Sequence, residues 1–275
     1  MIVDSHVHLL PERLAAKIRK FFVDRGAPRL LYPYAPGAAR EALVAAGVGR
    51  CWSLPYAHRG GVAASLNRWM AETFAGDAFV VPGATVHPDD DVAEVVAEAQ
   101  ETLGLPVFKI HCSVGRFSAD DRRLDPLWRR VSATGSPVVV HPGSAHDGTA
   151  TGEEMDAVAA AASLWPDATI IVAHFGSPAT DRTLELLSRT RSVHADLTPV
   201  VADPVSLPRS AIAGLERRIL FGSDTPTVAV SIEDSIARVH AWGLSPADEG
   251  AVLGGNADRL LGLARSAAPP GNRAG

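Results

Sequence analysis

Two histidines, His6 and His8, stand one residue apart at the end of the stretch Ile2-Val3-Asp4-Ser5-His6-Val7-His8. On a strand, residues i and i+2 point to the same face. Both imidazoles can therefore enter one pocket and offer nitrogens to one metal ion. The competing reading is an accidental pair near a terminus. What favours the metal is the position of the other histidines. His111 closes the apolar run Val107–Ile110, His141 closes Val138–Val140, and His174 closes Ile170–Ala173. His87 ends a third run, His58 lies just past a second, and only His146, His194 and His240 of the ten fall elsewhere. The last apolar run ends in Gly222-Ser223-Asp224-Thr225, which puts a carboxylate at the same level. An ionised Asp224 among imidazoles, partly screened from water, would cost several kcal/mol unless compensated. A divalent cation compensates it. Three nitrogens and one carboxylate oxygen suit zinc, with manganese or iron as alternatives. An open coordination position lowers the pKa of a bound water from ~15.7 to roughly 7 and yields hydroxide at neutral pH.

These side chains need a scaffold that brings many strand ends together. Eight short apolar runs recur: Ile2–His6, Cys51–Tyr56, Phe79–Val86, Pro106–His111, Pro137–His141, Thr169–His174, Ser192–Leu197 and Arg218–Ser223. They read as parallel strands covered on both faces. Amphipathic segments alternate with them: Pro11–Arg25, Ala38–Ala46, Val62–Ala75, Asp89–Leu103, Pro126–Thr134, Glu153–Trp165, Ala179–Arg189, Ser206–Leu215 and Ile232–Trp242. Pro88-Asp89-Asp90-Asp91 is a helix start, with carboxylates at the positive end of the dipole. Gly47, Gly104 and Gly135 end helices. Eight strand-then-helix units in 275 residues predict an α/β fold, a closed (β/α)8 TIM barrel, over residues 1–265. An open doubly wound sheet is the alternative, weakened by the lack of a Gly-rich phosphate turn after the first strand. Gly26–Gly37, with its Pro, Tyr and Leu, is expected to cap the barrel mouth. Helices over Pro246–Leu253 and Asn256–Ala264 follow the eighth unit, and residues 266–275 form a small, frayed tail.

Barrel enzymes place their sites at the C-terminal ends of the strands, where these histidines gather. The formal charge of −5 is mild and gives no footing for nucleic acid or an anionic membrane. No apolar run reaches the ~18 residues of a transmembrane span. The start shows no charged leader followed by an apolar core and a cleavage site, so the chain reads as cytoplasmic. A small-molecule substrate is the expected partner, and a homodimer is compatible with the sequence. Cys51 and Cys112 fall on different strands and imply no disulfide framework. Cys112 reads as a small buried apolar residue rather than a nucleophile.

Several stretches together resemble the amidohydrolase superfamily. They are Asp4-Ser5-His6-Val7-His8, a strand-five histidine, a strand-six histidine and a strand-eight Ser-Asp. The middle and end are similar to its amidohydrolase-related branch: Val107-Phe108-Lys109-Ile110-His111, Phe117 through Asp121, Leu124 through Trp128, Pro137 through Gly143, and Leu253-Gly254-Gly255-Asn256-Ala257 through Leu261. That branch holds metal-dependent hydrolases, and decarboxylases and hydratases related to aminocarboxymuconate semialdehyde decarboxylase. The resemblance implies one divalent metal held by His6, His8, His141 and Asp224, with His174 orienting the water or substrate. Two-metal hydrolases of the superfamily use a strand-four carboxylate or carbamylated lysine as a bridge, and Lys109 stands on strand four. One metal is the commoner arrangement in the branch.

Lys109 is one of only three lysines, with Lys17 and Lys20, against 23 arginines, and it sits inside an apolar strand. It is expected to be a carbamate ligand, a grip on a substrate carboxylate, or half of a buried ion pair with Asp4. His111, facing the same way, is a substrate-pocket candidate. Arg116, His58 and Trp52 are further candidates, as are Tyr32 and Tyr34 in the cap; packing or surface roles compete for each. Asp196 could line the mouth or serve a turn. Asn256 most simply caps the final helix. The leading expectation is a hydrolase that uses metal-activated water, with Asp224 as proton acceptor and His174 assisting, on an amide, ester or lactone. The alternative is a non-oxidative decarboxylase or hydratase of a small unsaturated or aromatic acid. A metal-binding scaffold without turnover is the third reading, and the complete histidine set argues against it.

Overall fold

The computed structural model describes residues 1–24, 26, 31–143, 152–198, 207–227 and 230–267, with side chains to residue 262. The chain begins with β1 (Ile2–Val7), α1 (Glu12–Asp24), α2 (Pro36–Ala45), β2 (Val48–Ser53), α3 (Ala63–Thr73), β3 (Val80–Thr85) and α4 (Val92–Ala97). It continues through β4 (Val107–His111), the single turn α5 (Cys112–Gly115), α6 (Asp125–Thr134), β5 (Val138–His141), α7 (Gly152–Leu164), β6 (Ile170–Val172) and α8 (Thr180–Arg189). It ends with β7 (Val193–Asp196), β8 (Ile219–Leu220), α9 (Ile232–Ala241), α10 (Pro246–Gly250) and α11 (Asn256–Ala267).

The eight strands pair in parallel in the order β1 to β8. The seam between the last and the first is joined by backbone bonds: Ser5 N–H donates to Phe221 O at 2.9 Å, His8 N–H to Thr225 O at 2.8 Å, and Asp224 N–H to His6 O at 2.8 Å. The fold is the expected (β/α)8 barrel. Side-chain alternation sorts each strand. Phe108, Ile110, Val138, Val140, Ile170 and Val172 face outward and pack with helix residues such as Leu127, Trp128 and Val131. Val107, Val139, Ile171 and Leu220 face inward. With Val3, Trp52 and Leu54 they form an apolar plug, closed from below by Ala257, Leu260 and Leu261 of α11. Each such buried side chain stabilises the fold by about 1.5–3 kcal/mol. The plug is built of apolar side chains alone and lies below the polar ring.

Most element boundaries agree with the pattern reading. Asp91 caps α4 by accepting from Glu94 N–H, and Gly47, Gly104 and Gly135 each take positive φ. Three expectations need correction. β2 begins at Val48, three residues before the apolar run. Gly49 and Arg50 break the hydrophobic pattern for local reasons: a Cβ on Gly49 would lie 2.6 Å from Met1 Cγ, and Arg50 pairs with Asp258 at 2.9 Å. The helix expected over 206–215 is two 3-10 turns, Arg209–Ile212 and Glu216–Arg218, bracketed by Pro208 and by Gly214 at φ +81°. Asn256 ties α11 to the barrel instead of capping it: its side-chain amide donates to Glu216 O and Ile219 O, both at 2.8 Å. The expected tail from 268 onward, His146 and residues 27–30 of the expected cap lie outside the described residues. Cys51 and Cys112 are free and buried. No helix among the described residues is long and apolar enough to cross a membrane.

Candidate metal centre

Alternation along β1 sends His6 and His8 into the barrel mouth. Their rings meet edge to face with centroids 5.1 Å apart. Each has its Nδ1 occupied. His6 Nδ1 bonds Asp196 Oδ2 at 2.9 Å, and His8 Nδ1 donates to Leu54 O at 2.7 Å. His174 follows the same rule, with Nδ1 donating to Thr198 O. Such partners favour the Nδ1–H tautomer and turn Nε2 toward the mouth, where that of His6 also meets Lys109 Nζ at 3.0 Å.

Those nitrogens converge on Asp224. His8 Nε2 lies 2.8 Å and His6 Nε2 3.7 Å from Asp224 Oδ1. Ligand atoms of His6, His174 and Asp224 all lie within 4.8 Å of one another. With Nδ1 bonded to Leu54 O, His8 Nε2 is left as the close neighbour of Asp224 Oδ1. The contact is favourable only with a second proton on His8 or a cation between the groups. A divalent metal fits this donor set. Burial holds the pKa of His6, His141 and His111 well below the ordinary histidine value, so these imidazoles stay neutral, as metal ligands must. Burial works to raise the pKa of Asp224, but the hydrogen bond with His8 and the nearby imidazoles outweigh it and hold the carboxyl well below the usual range.

The backbone here is strained. His174, Phe175 and Asp224 take φ of 55°, 52° and 58° without being glycine. Each left-handed residue costs on the order of 1–3 kcal/mol and persists only where its surroundings hold it. Asp196 supplies one hold, accepting from His174 N–H at 2.9 Å; the His6 carbonyl supplies another, accepting from Asp224 N–H. Asp196 thus ties together a β1 ring and the turn after β6.

His141 and His111 extend the ring of imidazoles. They stack at 3.8 Å between centroids, and His141 meets His174 edge on at 4.5 Å. His141 Nδ1 is buried with no hydrogen-bond partner. Lys109 is fully buried one layer below. Its Nζ donates to His6 Nε2 at 3.0 Å. Burial lowers its pKa to about 8, against the opposing pull of Asp196 and Asp224. The expected Lys109–Asp4 ion pair is not the contact found among the described residues. Asp4 instead accepts from the backbone N–H groups of Ser223 and His6 at 3.0 and 3.2 Å, pinning the seam.

Of the sequence candidates, His6, His8, His111, Lys109, His141, His174 and Asp224 come together. Arg116 is exposed in a left-handed turn after α5, and His58 is exposed in the loop after β2. Trp52 is fully buried in the apolar plug. Sequence reasoning underrated Asp196 and missed Tyr56, whose ring lies 5.3 Å from His8 and 5.2 Å from His111. The clue was available: Tyr56 is two and four residues past the inward-facing Leu54 and Trp52.

Known structures share this architecture. An uncharacterised TIM-barrel protein from Bordetella bronchiseptica is 19% identical, with TM-score 0.76 over 96% of this chain and 99% of its own. A 2,6-dihydroxybenzoate decarboxylase bound to 2,6-dihydroxybenzoate is 17% identical, with TM-score 0.73 over 95% and 99%. A probable 2-pyrone-4,6-dicarboxylic acid hydrolase from Acinetobacter baumannii is 14% identical, with TM-score 0.65 over 95% and 99%. No curated protein matches the chain significantly. The family model described as Amidohydrolase matches residues 3–263, and with the barrel and its ring of histidines and aspartate in view, the chain belongs to the amidohydrolase family.

Proposed function

We propose that the chain is a metal-dependent hydrolase that opens an amide, ester or lactone of a small molecule. It would use one divalent metal, zinc first and manganese or iron next, held by His6, His8, His141 and Asp224. The observation that carries this reading is the convergence of ligand atoms of His6, His174 and Asp224 within 4.8 Å of one another, with His8 Nε2 2.8 Å from Asp224 Oδ1. When bound, the metal supplies a Lewis acid and a water acidic enough to ionise near neutral pH. The protein's own groups then divide the work. With one oxygen on the metal, Asp224 would keep a second oxygen able to accept a proton from a water placed within the ~2.6–3.2 Å reach a general base needs. His174 is less buried than His6, His8, His111 and His141, so its Nε2 can meet the substrate oxygen as negative charge develops. Lys109 and His111 form a floor that can receive an acidic group of the substrate.

A lyase reading has its own support. A buried lysine cation beside the metal ligands suits a substrate carboxylate that leaves as carbon dioxide, and one similar structure is named as a decarboxylase. The test is turnover in ¹⁸O-labelled water of the metal-loaded enzyme, on panels of small amides, esters, lactones and carboxylic acids. Hydrolysis places the label in the product acid. Carbon dioxide release without label in the remaining product would replace hydrolysis by decarboxylation. Metal binding with no turnover on either panel would favour a scaffold.

A further inference from the structure

We propose that Ser53 and Thr85 are positioning residues for the metal ligand His8: from opposite sides they fix the segment 54–57, whose Leu54 carbonyl holds the His8 ring. The inference rests on the reading of the centre as a metal site, and neither residue is a ligand in that reading.

The His8 ring owes its orientation to a backbone oxygen, with Nδ1 donating to Leu54 O at 2.7 Å. The ring can be placed no better than that carbonyl. Leu54 stands where the ladder between β1 and β2 stops. Leu54 N–H still donates to Val7 O at 2.7 Å, but Pro55 has no N–H to continue the pattern. Side chains take over. The Ser53 hydroxyl accepts from Leu9 N–H and donates to Leu9 O, both at 3.1 Å, using the donor and an acceptor position of one group. Leu9 and Ser53 are both buried, so water does not stand in for these bonds. The residue before the Leu54 carbonyl is thus locked to the residue after His8.

The strand β3 holds the same segment from the other side. Thr85 Oγ1 accepts from Ala57 N–H at 3.2 Å. Thr85 is itself held by Asn67 of α3: Thr85 N–H donates to Asn67 Oδ1 at 2.8 Å, and Asn67 Nδ2 donates to Thr85 O at 2.9 Å. Gly83, two residues earlier, lets the backbones close up, since a Cβ there would stand 3.0 Å from Ser53 O and 3.3 Å from Pro55 Cδ. Tyr56, next to Ala57, sets its ring edge-on to His8 at 5.3 Å between centroids. The segment therefore meets the His8 imidazole twice, through a carbonyl and through a ring, and a buried hydroxyl fastens each end of it. A buried polar network with its partners satisfied rigidifies what it joins, and outer partners of a ligand histidine set its orientation.

The test compares wild type with Ser53→Ala, Thr85→Val and Thr85→Ser. Valine keeps the shape of threonine and loses the acceptor; serine keeps the acceptor. Zinc affinity is read by competition against a chelator, and the cobalt(II) absorption spectrum reports ligand geometry. NMR of metal-free protein follows exchange of the His8 Nδ1–H with solvent, with the His174 Nδ1–H, bonded to Thr198 O, as internal reference. Ser53→Ala and Thr85→Val are each expected to weaken zinc by about tenfold, the lower end for outer partners of a ligand. Both are expected to shift the cobalt spectrum and to speed His8 exchange more than His174 exchange. Thr85→Ser is expected to behave as wild type, and Thr85→Val carries the test alone should Ser53→Ala not fold. Wild-type zinc affinity in Ser53→Ala and Thr85→Val would overturn the proposal. So would His174 exchange that speeds as much as that of His8, which marks a general loosening, or a Thr85→Ser loss as large as that of Thr85→Val. Wild type that takes up neither zinc nor cobalt defeats the metal reading on that measurement alone, and His8 exchange in metal-free protein still decides whether Ser53 and Thr85 hold the ring.

Discussion

Asp196 gives the centre its geometry through three contacts. One carboxylate oxygen fixes the His6 ring, and the other holds the backbone of His174 and, at 3.3 Å, of Thr198. Asp196→Asn keeps the volume but offers an N–H₂ where one acceptor was needed. The His6 tautomer or the His174 turn must then give way. Metal affinity is expected to fall about 10–100-fold, the usual effect of losing such a partner, with the circular dichroism spectrum unchanged; competition against a chelator measures it, and wild-type affinity would remove Asp196 from this role. At this scale the sequence was legible wherever residue type and strand position sufficed. The structure brings His6, His8, His141, His174 and Asp224 together at the strand ends where their spacing put them. Asp196 was not legible in this way, because an aspartate at a strand end is also an ordinary turn residue, and its partner His6 lies 190 positions away. The orphaned hydroxyl of Tyr34 and the reach of Lys109 to His6 are likewise tertiary facts that no spacing encodes.

The element that most constrains the ring is the seam where β8 returns to β1. Gly222 lies in it, and a Cβ there would stand 2.8 Å from His6 Cβ and 3.2 Å from Thr198 Cγ2. Gly222→Ala must push His6 or the Thr198 turn aside. It is expected to destabilise the protein by about 1–3 kcal/mol, the range for overpacking, and to weaken metal binding in the same sample. Calorimetric unfolding with and without metal separates the two effects. A variant with normal stability and normal metal affinity would show that the seam is looser than these distances imply. Strand runs were easy to read because buried parallel strands are continuous in Val, Ile and Leu. The start of β2 was hidden because Gly49 and Arg50 serve the barrel rim rather than its core. The segment 207–218 was misread because Pro208 and Gly214 interrupt what its apolar residues suggest.

For the whole molecule, eight strand-and-helix units were enough to predict the barrel, since few other folds absorb that alternation. The buried histidines also set its response to acid. His194, on β7 and outside the centre, is lowered to about 4 by burial, with a bond from its ring to Ser192 O working the other way. Unfolded, it would take a proton near pH 6.5. Between those values the unfolded chain binds more protons than the folded one, so stability is lost as pH falls from about 6.5 toward 4. The lowered imidazoles of His6, His111 and His141 act in the same direction. His194→Gln is therefore expected to reduce the loss between pH 7 and pH 4.5 by up to about 3 kcal/mol, read from urea midpoints; an unchanged slope would contradict it. The central claim is that the ring at the barrel mouth holds a metal and that the apolar plug beneath does not need it. Elemental analysis after zinc reconstitution, with circular dichroism on the same samples, tests this most directly. The expected result is about one zinc per chain in wild type and in His174→Asn, weaker retention in Asp224→Asn, and none in a folded His6→Ala. Wild type that takes up no zinc, or His6→Ala that retains it fully, would contradict the account.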